Sequence, residues 1–257
     1  MNIDVGVLMN VRLTRVDRET GEVVGRHESH NTITSIDKLL DLMDGSATDH
    51  PNNANATIRI LDSGASEVKK IVGCAATYPT TAAAGLVTWR WEDISADTYN
   101  PDDIQFLTAT AGVKIAEELN VVWPNKPASE NWFFEWDITL SSGDGNFDNA
   151  GFNGMLQCIT GASTQHWDGT EGAANMAIKV YDGTPGTLQF TQAATAATVR
   201  TTTSLKWIFV RSTGTATWSR VETHNNAQTN LLYDDDIATE VQGSGDTFTY
   251  EFTVTWS

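Results

Sequence analysis

The chain has 257 residues, 40% of them hydrophobic, with nine Trp and only six Pro, which is the content of an ordered globular protein of one large or two ordinary domains. Its net charge of −17, with sixteen basic residues scattered along the chain, argues against a phosphate-binding surface and against nucleic acid as a partner. No apolar run approaches the roughly 20 residues of a membrane span, and the opening MNIDVGVLMNVRLTR alternates where a secretory leader would carry a basic start and an apolar run.

The first element is a hairpin over residues 3 to 29. Ile3, Val5, Val7, Met9, Val11 and Leu13 alternate strictly, DRETG forms a turn, and EVVGRHES returns. Arg12, Arg15, Arg18 and Arg26 concentrate positive charge there in an otherwise acidic chain. They are the candidate contact to an acidic partner surface, with strand 7–16 in the first domain's sheet and the start of the chain reaching a neighbouring subunit. The alternative is that the whole hairpin completes the first domain.

Next, SIDKLLDLMDG reads as a short helix. Ser35 is placed to cap it, Leu39, Leu40, Leu42 and Met43 give it an apolar face, and Gly45 supplies the left-handed residue that stops it. Strands follow at ATIRILD, VTWRWEDI, DDIQFLTA, KIAEELNVVW and NWFFEWDITLS. In the last, Phe134, Trp136, Ile138 and Leu140 fall on one face and Glu135, Asp137 and Thr139 on the other.

The remainder repeats this pattern. A shift of 116 residues lays FEWDITLS, from Phe134, over YEFTVTWS, from Tyr250, and also Leu40 over Leu156, Gly45 over Gly161 and His50 over His166. A shift of 120 lays ANATIRILD, from Ala54, over ANMAIKVYD, from Ala174, and one of 118 lays VTWRW over LKWIF. Shared order, alternation and turn residues over about 105 positions indicate a tandem duplication. The fold expected is all-β: two tandem antiparallel β-sandwich domains of jelly-roll type, residues 1–141 and 142–257, each with one short helix, plus the N-terminal hairpin. The second copy, repeating about 35–141, has no hairpin of its own, so it is expected to have an open sheet edge that recruits the first domain or another subunit.

Candidate chemistry is sparse. There is no GxSxG elbow, no Gly-rich phosphate loop and no Cys/His spacing for zinc. His27 and His30 lie close together without a third ligand, and His50 and His166 stand in polar loops. Cys74 and Cys158 are too few for a disulfide framework and read as free, partly buried thiols. DGNFDN puts Asp144, Asn146 and Asp148 at the first three positions of a calcium loop, but Asn149 stands where the loop needs Gly and Met155 where it needs Glu. Asp234 to Asp236 form either a solvated strand edge or a cation site. Trp167 and Trp218 stand beside polar turns and are the candidates for stacking on a sugar. No catalytic residue and no cofactor is expected.

Residues 7 to 141 carry a recognisable layout: HNTIT before the leucine-rich helix, IRILDSG with its Gly turn, then ELNVVWPNKPASENWFFEWDITL with Pro124, Lys126 and Ser129 between two strands. This resembles a family of tailed-bacteriophage virion proteins, often tail fibre or tail-collar proteins, in which His-Asn, a leucine helix, a Gly-turn strand and Pro-x-Lys precede a closing Trp/Ile strand. The family's Glu-Ala-Gly-Leu step is replaced here by DDIQFL, Asp102 to Leu107. The resemblance implies a non-enzymatic virion component made in the host cytoplasm and carried on the particle exterior. It would be tail-associated as a short fibre, collar or baseplate accessory, with other virion proteins as partners and as a homo-oligomer. The alternatives are a capsid decoration protein and a carbohydrate-binding module that reads a host-surface glycan.

Overall fold

A computed structural model describes residues 2–29, 32–45, 47–83, 85–108, 113–143, 149–162, 176–183, 186–194, 199–225 and 231–257. The described chain is all-β, with seventeen strands and two short helices. It divides into two compact units, one of residues 7–39 and 49–139, the other of residues 1–6, 40–48 and 140–257. The sequence reading places residues 1–6 and the whole first helix with the first half. The compact units instead place residues 1–6 and the last part of that helix with the second.

In chain order the elements are β1 (Asn2–Asp17), β2 (Val23–Ser29), β3 (Thr32–Thr34), α1 (Ile36–Asp44), β4 (Thr57–Leu61), β5 (Glu67–Val72), β6 (Thr80–Ala83), β7 (Leu86–Asp93), β8 (Asp103–Leu107), β9 (Lys114–Glu118) and β10 (Glu130–Ser142). Then come α2 (Asn149–Thr160), β11 (Met176–Asp182), β12 (Thr187–Ala193), β13 (Val199–Arg200), β14 (Ser204–Arg211), β15 (Ala216–Asn225), β16 (Leu231–Gln242) and β17 (Phe248–Trp256). Both helices end ahead of a glycine in the left-handed region, Gly45 at φ 80° and Gly161 at φ 72°, where a side chain would be strained.

In the N-terminal unit one sheet runs β2-β1-β10-β7-β6 and the other β3-β9-β8-β4-β5. Alternation turns Trp132, Phe134, Trp136 and Ile138 of β10 inward, together with Trp89 and Trp91 of β7, and all are buried. They meet Phe106 of β8, whose ring centroid lies 4.9 Å from Trp89, 5.3 Å from Trp91 and 5.6 Å from Trp136. In the C-terminal unit one sheet runs β13-β14-β17 with the start of β1, and the other β12-β11-β15-β16. Trp207, Phe252, Trp218 and Phe248 carry its core.

Both halves therefore use one strand order: helix, two paired strands, then a second pair whose longer member joins the closing strand. The registers match as well. Trp89 stands opposite Trp136 and Trp91 opposite Phe134; their counterparts Trp207 and Phe252, Phe209 and Tyr250, stand opposite each other in turn. One pair exchanges size across the strands. Phe106 faces Ala116 in the N-terminal unit, whereas Thr223 faces Tyr233 at the same place in the C-terminal unit. The large ring has moved to the neighbouring strand and still reaches the closing strand, with Tyr233 5.5 Å from Phe252. Core volume is preserved while its source changes.

Two expectations need correction, and three strands lie outside the expected set. The strand expected over residues 114–123 stops at Glu118, because Asn120 turns at φ 53° and Val121 N–H bonds to Asp102 O. Strands β3, β5 and β6 give no clean alternation in the sequence. The start of the chain reaches the last strand of its own chain: Asn2 to Val5 pair in parallel with Thr253 to Trp256, and Ile3 and Val5 are buried. Gly6, next along β1, lies so close to the end of β10 that a Cβ there would stand 3.1 Å from Ser141 Oγ.

Phe106→Thr should cost about 3–4 kcal/mol as a large-to-small core change, and adding Ala116→Tyr should recover most of it, measured by urea unfolding. Deleting residues 1–6 removes two buried side chains worth about 1.5–3 kcal/mol each, and should lower the stability of the C-terminal unit in the same assay.

Candidate functional site

The densest polar cluster is built on the Pro-x-Lys segment. Lys126 is 1% exposed because the backbone bridge between Lys126 and Tyr99 folds its loop over the end of β7. Its ammonium donates to three carbonyl oxygens, Ser95 at 2.9 Å, Asp97 at 3.2 Å and Glu130 at 3.0 Å, which uses all three of its donors. The carboxylate of Asp93 lies 3.9 Å away. Asp93 accepts from the Ser95 N–H at 3.1 Å, the Ser95 hydroxyl and the Tyr99 hydroxyl at 2.8 Å, and pairs with Lys69 at 3.2 Å. Burial pushes Asp93 up, but the bonds from Ser95 and Tyr99 outweigh it and hold the carboxyl below the ordinary range. Burial pulls the Lys126 ammonium down. A groove of about 490 Å³ opens beside Asp62, Tyr99, Asn100, Asn125 and Lys126, but the lysine's N–H groups already point at backbone.

The hairpin arginines join this cluster. Arg15 forks onto Glu130, with Nε at 2.8 Å and the terminal nitrogen at 2.6 Å, and Trp132 Nε1–H donates to the same carboxylate at 2.9 Å. The Arg15 hydrogen bond, ahead of any other cause, holds Glu130 below the usual carboxylate range. Arg12 pairs with Asp137 at 2.8 Å and Glu135 at 3.3 Å. Arg18 donates its guanidinium to Ser95 O and its N–H to Ser129 O. Arg26 is exposed on β2, where a groove of about 450 Å³ is lined by Arg12, Arg26, His27, Glu28 and Glu135. For Arg12 and Arg15 the acidic surface expected of a partner is β10 of the chain itself. Only a folded sheet could reveal this, since 115 residues separate Arg15 from Glu130.

In the C-terminal unit Asp234, Asp235 and Asp236 lie on β16 and so alternate sides. Asp234 pairs with Arg220 at 3.0 Å, Asp235 is buried and Asp236 is exposed. A cation site would need the three carboxylates to converge, and strand geometry separates them. Among the described residues no group of three His, Cys, Asp or Glu side chains is placed to hold a metal ion. The acidic stretch belongs instead to a cross-strand ladder, Lys179 opposite Glu222 opposite Asp234. It stands where the N-terminal unit has Arg59, Gln105 and Glu117, joined by the bond from Arg59 Nε to Gln105 at 2.7 Å. Trp218 is 7% exposed and packs edge-on against Phe248 at 4.7 Å. Its ring is core and only its margin reaches the surface, too little for a sugar to stack on. Trp167, His166, Asp144 and Asp148 lie outside the described residues. Neither Cys74 nor Cys158 is in a disulfide, and burial pushes the Cys74 thiol up to about 12. Among the described residues no helix is long and apolar enough to cross a membrane.

Comparison with protein-family models, curated proteins and solved structures finds no match to this chain.

Removing the Lys126 charge leaves Asp93 and three carbonyls buried. Lys126→Met should therefore cost about 3–5 kcal/mol in urea unfolding. Asp93 and Glu130 are both lowered in the folded chain, so their contribution is present above the unfolded carboxyl range near pH ~4 and is lost as the pH falls from there through the folded values. Glu130→Gln should flatten the fall of the urea midpoint as the pH drops below the ordinary carboxylate range.

Proposed function

We propose that this chain is a non-enzymatic structural protein of a tailed-bacteriophage particle. It is carried on the particle exterior in association with the tail, as a short fibre, collar or baseplate accessory, and works through protein–protein assembly. The observation that carries this reading is the use made of the Pro-x-Lys segment, the motif on which the resemblance to phage virion proteins rests. Lys126 ties the loops at the end of a sheet together through three carbonyls, an architectural role that suits a particle component. The charge of −17 suits a protein that stays soluble and avoids non-specific contacts before assembly.

A capsid decoration protein is the second reading, favoured by the charged ladder that each unit repeats on one sheet. A glycan-reading module loses support from the burial of Trp218.

Immunogold labelling of purified particles tests the proposal. Label on the tail is the expected result. Label over the head moves the assignment to capsid decoration, and absence from purified particles rejects a virion role. Purified chain is also expected to release no oligosaccharide from host polysaccharide. Release that disappears on substituting a pair of carboxylates would establish an enzyme instead.

A further inference from the structure

The closing strands of the two units differ in how much of one edge is covered. In the N-terminal unit β10 has β7 on one side and β1 along the other. In the C-terminal unit β17 pairs with β14 from Phe248 to Thr255, but on its other side β1 covers only Thr253 to Trp256. Among the described residues no strand pairs with Phe248 to Tyr250 on that side. The open groups can be identified. Ser257 N–H bonds to Val5 O on the β1 side, and Trp256 N–H bonds to Thr203 O on the other. Backbone groups alternate along a strand, so the N–H and C=O of Thr249 face the uncovered edge.

A groove of about 460 Å³ runs along this edge, with Glu240, Val241, Asp246, Thr249 and Tyr250 among its walls. Val241 is 70% exposed, Glu240 and Asp246 are exposed carboxylates, and the buried Tyr250 hydroxyl has no hydrogen-bond partner. An apolar and acidic groove beside unpaired backbone has the features of a site for strand addition.

The other unit shows what fits there. A shift of 116 carries Glu130, Trp132 and Phe134 to Asp246, Phe248 and Tyr250. Over the first set lies the stretch of β1 that contains Val11, Arg12, Leu13, Thr14 and Arg15, running antiparallel to β10, with Arg15 on Glu130. We propose that the Phe248–Tyr250 edge of β17 receives an extended basic segment of a different protein, antiparallel to β17. Its apolar residues would alternate with polar ones, and Arg or Lys would lie opposite Asp246 and Glu240. A second copy of this chain is a poor donor. Its own Arg12 and Arg15 are engaged, and two copies at −17 each repel. The inference stands apart from any place in a phage particle, because it concerns the edge and its occupant alone.

The probe is a synthetic peptide of the sequence VLMNVRLTRVDR, residues 7–18, titrated into the full chain by calorimetry beside a scrambled control. The expected result is one binding site, weakened by salt and absent for the scrambled peptide. Thr249→Pro removes an N–H that no strand among the described residues uses, and should reduce affinity about tenfold or more with little change in urea midpoint. Glu240→Lys, on the exposed wall, should reduce it about threefold or more without relying on the backbone change. Peptide that fails to bind, or binds both variants as well as the parent chain, overturns the proposal. So does sedimentation showing that the chain alone self-associates through this edge, judged by its loss in Thr249→Pro.

Discussion

A β-strand at the end of a sheet must have its backbone groups paired or managed, and the closing strand of each repeat poses that requirement. In one unit β10 is covered by β1 along its length. In the other, the first residues of the same strand reach β17 and cover four of its positions. The alternation of β1 is set by this duty. Ile3 and Val5 are buried in one unit and Met9, Val11 and Leu13 in the other, so one period-two pattern supplies both cores. A repeat that carried its own hairpin would not need it, and a chain without β1 would leave both closing strands open.

Within that frame the inner faces keep their volume and change their residues. Phe106 over Ala116, against Thr223 beside Tyr233, shows two halves of one chain reaching equivalent packing by opposite choices across one strand pair. Close packing demands that the space be filled; it does not say from which strand. The polar faces behave similarly. Arg59, Gln105 and Glu117 in one unit and Lys179, Glu222 and Asp234 in the other occupy equivalent ladder positions. The acidic run in the second half is thus a rung of a sheet.

Two deeply buried ionic groups, Lys126 and Asp93, are bound to backbone carbonyls, hydroxyls and one another, so they position loops and have no free valence for a substrate. What stays available is surface: an acidic exterior, Arg26 on an outer strand, and the groove beside β17. Such features serve a protein that joins others, in keeping with the assembly role proposed.

Much of this was legible in the order of residues. Period two in VTWRWEDI and NWFFEWDITLS marked β7 and β10, and leucines followed by a glycine marked α1. The shifts of 116 to 120 anticipated a common order of elements, because alternation and turn chemistry are local properties that survive in sequence. The edge strands β3, β5 and β6 were not legible, since a strand with one neighbour and a half-exposed face has no strict pattern to show. The partners of Arg12 and Arg15, the exchange of Phe106 for Tyr233, the burial of Trp218 and the stretch of β17 that no described strand covers were decided only by the tertiary structure. Each depends on which strands lie side by side, and residues 115 apart become neighbours through the sheet alone. Sequence by itself determined the central strands and their repetition, because alternation is local; pairing determined which charges are satisfied within the chain and which strand edge has no partner among the described residues.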